Sequence, residues 1–205
     1  MDEVDSVLRK IILLVCAFLL LPPSCFAEIY QNTEYDFQME IPDVWVDVPE
    51  NAGKNIICKK IVQHENTLKE QRAIIIFNIT PGGGGSYIYD TVDSLTPEQQ
   101  EGILTAMFEG ITHKHSAKLT YSGCEQFGVR SFLIVKADVD MRGYPCKMIY
   151  VTTIFQHVLY YWIFNASDNG SYDRVYEDQF FDMLKTFKPT NSKLPLRTGA
   201  GKAAE

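Results

Sequence analysis

The residues best suited to metal chemistry are two histidines, His113 and His115, separated by one lysine. On a β-strand, residues two apart project from the same face, so both imidazoles could ligate one zinc ion. The pair falls at the end of a predicted helix, however, where residues two apart diverge by about 200°. Histidines in a last helical turn are also explained by the helix dipole. His113 and His115 therefore stand as candidate metal ligands against this simpler interpretation, and we predict no cofactor.

Nucleophilic catalysis needs a nucleophile, a base and an orienting group, and the chain contains no nucleophile elbow or known Cys/His signature. The glycine-rich stretch PGGGGS, 81–86, lacks the Lys-Ser/Thr that follows in a phosphate-binding loop, which favours a flexible connection. We therefore predict a protein that is not an enzyme and has no catalytic residues. Two alternatives stay open, a small-ligand or metal-binding protein and a hydrolase of unrecognised type. The scattered candidate groups are His64, His113, His115, His157, Cys124 and Cys146.

The N-terminal segment has the features of a secretory signal peptide. Arg9 and Lys10 precede an apolar run, 11–21, which is followed by two prolines and small residues at Cys25 and Ala27. We expect cleavage near Ala27, with no transmembrane anchor after processing, because about a dozen apolar residues are too few to span a bilayer. The alternative is a lipid anchor at Cys25, which is less favoured because the preceding Pro-Pro-Ser departs from a lipoprotein signal.

The net charge limits the class of partner, and the number of cysteines limits the possible disulfides. Removing residues 1–27 takes away two basic and three acidic residues, so 17 and 23 remain and the formal net charge is −6. Such a surface repels phosphate backbones, so we predict no nucleic acid partner. Cys58, Cys124 and Cys146 survive processing. In an oxidising compartment they allow one disulfide in three pairings, or they act as three small buried hydrophobes.

Hydrophobic periodicity predicts mostly strands between two helices. The first strand alternates from Tyr35 to Ile41, breaks at Pro42 and resumes around Trp45, which we expect to serve packing. The last strands should form a meander with tight turns at MRGY and FQHV, and Asp138 and Asp140 should lie on a solvated strand face or contact calcium weakly. The further strands are predicted at 56–62, 73–80, 118–125, 131–141, 146–155 and 158–166.

Two helices should cover the sheet. Thr96 can cap the first, with Pro97 at its first position and Gln99 completing a capping box. The second is predicted from about Tyr172 to Phe187. An apolar strand at 73–80 needs cover on both faces, so we predict an α+β fold with a mainly antiparallel sheet between helices.

The connection from Pro81 to Leu95 is long for a compact domain, and such connections are usually functional or disordered. Within it, Tyr87, Ile88 and Tyr89 combine apolar area with polar tips, as interface residues do. We predict these three residues as a partner-binding site. The alternative, slightly favoured, is that the two tyrosines fold back onto the edge of the sheet.

Two patterns frame the predicted domain. The opening strand ends in Ile41, Pro42 and Trp45, and the closing helix carries four spaced residues, Tyr176, Phe180, Leu184 and Phe187. With the order of elements between them, these patterns resemble the PsbP and DcrB-like extracytoplasmic proteins. This resemblance implies an α/β/α sandwich that serves as a binding or accessory module, exported and often lipid-anchored in bacteria, and attached to photosystem II in plants and cyanobacteria. Nothing in the chain is specific to photosynthesis.

Together these inferences divide the chain into a signal peptide, 1–27, a PsbP/DcrB-like domain, 28–188, and a disordered tail, 189–205. We predict a non-catalytic exported module of the periplasm or cell envelope that engages an envelope protein.

Overall fold

A long antiparallel sheet organises the chain, of which the computed structural model describes residues 27–32, 37–43, 45–48, 58–64, 73–81, 89–168 and 174–189. Over these residues the strands are β1 (Ala27–Asn32), β2 (Phe37–Pro42), β3 (Trp45–Val48), β4 (Cys58–His64), β5 (Ala73–Pro81), β6 (Ser116–Phe127), β7 (Arg130–Asp140), β8 (Pro145–Phe155), β9 (Val158–Ser167) and β10 (Lys188–Pro189). Seven of them form the long sheet in the order β3-β4-β5-β9-β8-β7-β6, and a small sheet has the order β1-β2-β10.

Two helices and a short 3-10 helix, Val92–Ser94, complete the described elements. Helix α1 (Pro97–Thr112) begins at the predicted capping box. The backbone amide of Gln99 donates to Thr96 Oγ1, and the backbone amide of Thr96 donates to Gln99 Oε1 at 2.8 Å. Helix α2 (Val175–Lys185) buries an apolar face consisting of Tyr176, Phe180, Met183 and Leu184. Helix α1 packs on one face of the long sheet, and α2 with the small sheet packs on the other.

The predicted meander is confirmed and includes one more strand, because β6 to β9 follow one another as antiparallel neighbours. The tight turn between β8 and β9 holds Gln156 and His157 at positive φ, 48° and 64°. The turn between β7 and β8 places Arg142 and Gly143 at positive φ. Positive φ at both central residues matches the twist of a two-residue hairpin loop.

The main core lies between α2, the small sheet and the long sheet. Its largest fully buried side chains include Trp162, Tyr160, Phe37 and Phe180. The Phe164 and Phe180 rings stack at 5.3 Å. Trp45, the subject of the packing prediction, is 5 % exposed and belongs to this core, so the opening stretch is a structural element. Each fully buried aromatic or aliphatic side chain stabilises the fold by about 1.5 to 3 kcal/mol relative to exposure.

Two strands were missed by the sequence analysis, β1 and β10. Both pair with β2, so the opening strand belongs to a separate small sheet rather than to the long one. Pro189, predicted as the first residue of the tail, pairs with Phe37. Strand β1 exposes Ile29 by 61 %, and β10 has only two residues, so neither carries a recognisable apolar pattern.

Candidate functional site

The face of the long sheet beneath α2 changes from apolar to charged along β7. Phe132 and Ile134 are fully buried on this face, whereas Lys136 and Asp138, which follow at the same period, are half-buried. Lys136 Nζ lies 2.8 Å from Glu177 Oε1 in the first turn of α2. A carboxylate in a first turn also interacts favourably with the helix dipole. The fold therefore neutralises this lysine with a carboxylate of its own.

A second lysine on this part of the sheet, Lys147 of β8, is paired twice. Its Nζ lies 2.7 Å from Asp138 Oδ1 and 3.2 Å from Asp168 Oδ2. The hydrogen bond to Asp138 is the main reason that the pKa of Lys147 is raised. Asp140 accepts a hydrogen bond from the Gly143 amide and closes the β7–β8 turn. These contacts favour a structural role for Asp138 and Asp140 over the calcium contact that the sequence left open. We call this region, with Lys136, Asp138, Lys147, Asp168 and Glu177, the lysine end.

The opposite end of the same face carries a third half-buried cation, Arg130, at the first position of β7. Its guanidinium carbon lies 4.5 Å from the centre of the Phe155 ring and 5.9 Å from that of Phe187. Among the described residues, none accepts a hydrogen bond from its guanidinium and none forms an ion pair with it. Burial lowers the pKa of Arg130, which is the direction expected for a cation removed from water without a carboxylate. We call Arg130, Phe155 and Phe187 the arginine end.

The two ends lie about 20 Å apart, since six residues separate Arg130 from Lys136 at about 3.3 Å per residue. The arrangement follows from the direction of α2: its first turn lies over the lysine end, and Phe187, just beyond its last turn, lies at the arginine end. Arginine stacked on a phenyl ring gains about 0.5 to 1 kcal/mol at an exposed site. That interaction leaves the five N–H donors of a guanidinium available to a ligand.

Two open depressions lie at the lysine end, with volumes of about 280 and 400 Å³. Their walls share Asp138, and the smaller one is lined by Lys136, Lys147, Arg174 and Glu177. Small-molecule sites are usually enclosed and mostly apolar, with a few convergent polar groups. Both depressions are open to solvent and not enclosed, so they give no support to the small-ligand alternative.

The predicted metal candidates lie where α1 ends. His113 is the C-cap of the helix and is exposed, and His115 is half-buried just before β6. Their position at a helix end is the one that the sequence predicted. In the part of the chain that the structure describes, no group of three or more His, Cys, Asp or Glu side chains could hold a metal ion.

Of the predicted partner-binding residues, Tyr87 and Ile88 lie outside the described residues. Tyr89 is half-buried, and its hydroxyl accepts a hydrogen bond from Gln99 Nε2 at 2.5 Å. It also packs against a small apolar cluster that contains Val92 and Leu95. Tyr89 thus packs against its own domain, as the alternative expected, but its hydrogen bond is to α1 and not to the edge of the sheet. The interface role of the three residues stays a prediction.

Strand pairing excludes all three possible disulfides. Cys124 pairs with Leu133 and Cys146 with Val139, six residues apart on β7 and therefore about 20 Å distant. Cys58 lies on β4, three strands from β8 and five from β6, or about 14 and 24 Å at the usual strand spacing. A disulfide requires Cα atoms within about 7 Å. The disulfide alternative is therefore wrong, and Cys146 is a small buried hydrophobe as expected, while Cys124 is exposed.

Neither end of this face was identified as a site from the sequence. The available signal was the change along β7 from two apolar residues, Phe132 and Ile134, to two charged ones, Lys136 and Asp138. This change predicts where this face of the sheet becomes polar. The partners Glu177 and Phe187 lie 41 and 57 residues from their respective cations, and only the position of α2 on the sheet brings them together. Composition and spacing contain no trace of such pairs.

No helix in the described part of the chain is long and apolar enough to cross a membrane. No protein-family model matches the chain, and neither does any curated protein. Solved structures do match. The cyanobacterial PsbP (CyanoP) of Synechocystis sp. PCC 6803 aligns with a TM-score of 0.51 at 11% identity, covering 80% of this chain and 93% of that one.

Two further structures are similar to a comparable extent. LpqN of Mycobacterium tuberculosis, described as involved in cell envelope biogenesis, aligns with a TM-score of 0.51 at 11% identity over 81% of this chain and 91% of its own. A Bacteroides thetaiotaomicron protein gives 0.54 at 11% identity over 80% of this chain, which spans about half of that longer protein. At these identities the likeness establishes the fold. The PsbP-like α+β fold predicted from the opening and closing patterns is confirmed.

Proposed function

We propose that this chain, which has the PsbP-like fold, is an extracytoplasmic accessory module that binds a protein of the cell envelope and performs no catalysis itself. The observation that carries the proposal is the fold, which is shared with a cyanobacterial PsbP and with a mycobacterial protein involved in cell envelope biogenesis. The signal-like segment 1–27 supports export of the chain from the cytoplasm.

The acidic surface supports a protein partner over a nucleic acid or an anionic lipid surface. Acidic residues outnumber basic ones by 26 to 19 over the whole chain. A net negative charge repels phosphate-rich polymers and lipid headgroups at moderate ionic strength. A folded protein can still present a local patch that complements one part of this surface.

Export is tested first, because the function fails without it. The full chain with a C-terminal tag is expressed in a bacterial host, and intact spheroplasts are treated with protease. We expect the tagged chain to be degraded, while a variant that lacks residues 2–27 stays protected. The intact mass of the exported protein then identifies the new N-terminus: Glu28 without lipid is expected, and a diacylglyceryl adduct on Cys25 would show the lipid-anchored alternative.

Partner binding is tested in the native envelope. A short cross-linker is applied to cells that express the tagged chain, and adducts are purified and identified by mass. One reproducible adduct to an envelope protein, absent when residues 2–27 are deleted, supports the proposal. An exported, folded chain that gives no adduct above the untagged control contradicts it.

A further inference from the structure

Arg130 differs from the other half-buried cations on its face of the sheet. Lys136 and Lys147 each have a carboxylate within 2.8 Å, whereas the guanidinium of Arg130 lies near two phenyl rings and forms no hydrogen bond or ion pair with a described residue. Acidic side chains are in excess over basic ones, so a shortage of carboxylates does not explain this. A partly desolvated cation without an acceptor is less favourable than a paired one, and a ligand that supplies the acceptor would reduce that cost.

We propose that Arg130 is a binding residue for a carboxylate group, supplied by the protein partner; this inference rests on the function proposed above. The guanidinium lies over the Phe155 ring, and its planar fork of N–H donors can be met by two oxygens of one group. One guanidinium carries one positive charge, which matches a carboxylate. A phosphoryl group carries about −1.5 to −2 and would need further cations.

The surroundings of Arg130 have the character of a contact surface. Val129, its neighbour in the β6–β7 turn, is 88 % exposed and offers apolar area beside the cation. Phe155 is followed by Gln156 and His157, both at positive φ. Asn-Gly is favoured for such a loop, and the matching turn at the other end of the sheet does contain Gly143. Both central residues of this loop therefore keep a side chain in a left-handed backbone, whereas the other turn does so only at Arg142, and such strain clusters at functional sites.

The carboxylate site is tested on the purified exported protein, labelled with ¹⁵N, by following the Arg130 side-chain N–H resonance. Three capped tripeptides serve as probes: acetyl-Ala-Glu-Ala-amide presents a side-chain carboxylate, acetyl-Ala-Ala-Ala with a free terminus presents a chain end, and acetyl-Ala-Gln-Ala-amide is the neutral control. We expect a saturable shift of Arg130 with one or both carboxylate peptides and none with the glutamine peptide. Which peptide binds more tightly identifies the source of the carboxylate.

Matched variants show whether the response belongs to this residue. Saturation is then followed on the Val129 amide, which every variant retains. Arg130→Gln should weaken binding of the carboxylate peptide at least tenfold, and Arg130→Lys should also weaken it because an ammonium lacks the planar fork. Arg142→Gln, an exposed arginine in the turn at the other end of the sheet, should leave binding unchanged. Thermal melting of each variant confirms that it is folded.

Several results would overturn the inference. These are the absence of any saturable Arg130 shift, equal binding by the glutamine peptide, and tighter binding of inorganic phosphate than of either carboxylate peptide. Failure of the proposed function is distinguishable. If Arg130→Gln cross-links to the envelope partner as well as the unchanged chain does, the carboxylate inference is wrong and the function stands. If the peptides bind but no envelope partner is captured, the assignment to a protein partner is wrong.

Discussion

The lysine end and the arginine end lie on one face of one sheet, under one helix, yet they treat a half-buried positive charge in opposite ways. At the lysine end, Lys136 and Lys147 are paired with Glu177 of α2, Asp138 of β7 and Asp168, which follows β9. At the arginine end, Arg130 is met by phenyl rings. A cation that only supports the fold is expected to find its counter-charge within the fold, because an unpaired one costs stability. The comparison therefore separates a structural cluster from a candidate binding position.

The largest effect in this comparison should come from Phe187, which joins the arginine end to the core. Its ring contacts the Tyr160 ring at 5.0 Å and the Trp162 ring at 5.2 Å, and it is 4 % exposed. Phe187→Ala should lower the free energy of unfolding by about 3 to 5 kcal/mol, as for other buried phenylalanines. Urea denaturation measures this. Phe155→Ala is the matched control, and because Phe155 is half-buried its smaller loss should leave the core intact.

A smaller loss is expected when the lysine end is broken. Glu177→Gln leaves Lys136 half-buried without its carboxylate. We expect a loss of about 1 to 2 kcal/mol, less than the 3 to 5 kcal/mol of a fully buried pair, because the two side chains keep 13% and 27% of their exposure. Adding Lys136→Met should recover part of the loss in a double-mutant cycle. Equal instability of the double variant and of Glu177→Gln would mean that the pair is not coupled.

Arg130→Gln should change stability less than Glu177→Gln does. The fold gains about 0.5 to 1 kcal/mol from a stacked guanidinium and loses part of that by desolvating it, so we expect a change below about 1 kcal/mol. Chemical denaturation of the purified variant provides the value. A loss above about 2 kcal/mol would contradict the comparison, since it would make Arg130 as structural as Lys136.

The smallest effect concerns the pH dependence of the Lys147 ion pairs. The pKa of Lys147 is raised in the folded state, chiefly by the hydrogen bond to Asp138, so its stabilising contribution is present below the ordinary lysine pKa of about 10.4. The contribution is lost as the pH rises through the folded pKa. The stability difference between the unchanged chain and Lys147→Met should therefore shrink above pH 10. Because the Lys147 and Asp138 side chains keep 32% and 44% of their exposure, we expect this stability difference to be only about 0.5 kcal/mol. A difference that is constant up to pH 11 would argue against the pairing.

The sequence predicted most of the long sheet because its strands are long and strongly patterned. The stretch around Trp162 is apolar on both faces, which suits its place in β9 near the middle of the sheet. The capping box of Thr96 and Gln99 located the start of α1 to the residue, since it depends on contacts only three residues apart. Local chemistry of this kind is readable from one sequence.

The candidate site was not predictable for the opposite reason. Arg130 is one of 19 basic residues, and its distinguishing property is that no carboxylate among the described residues pairs with it, which no local pattern encodes. The small sheet was missed because β10 has two residues and pairs with a strand about 150 positions earlier. Partner choice in a sheet is set by tertiary packing, so the split of the opening stretch between two sheets could be seen only in three dimensions.

The strand order also determines which strand pairings can form only late in the synthesis of the chain. Strand β5 pairs with β9, about 80 residues later, and β2 pairs with β10 at the end of the described chain. Pairings of such long sequence separation form slowly, because the intervening chain must be closed first. A chain that emerges N-terminus first therefore presents the isoleucine-rich edge of β5 without its neighbour until β9 has followed. During that interval β5 is the segment most open to mispairing with another copy, and a chaperone that binds extended apolar segments would protect the nascent protein there.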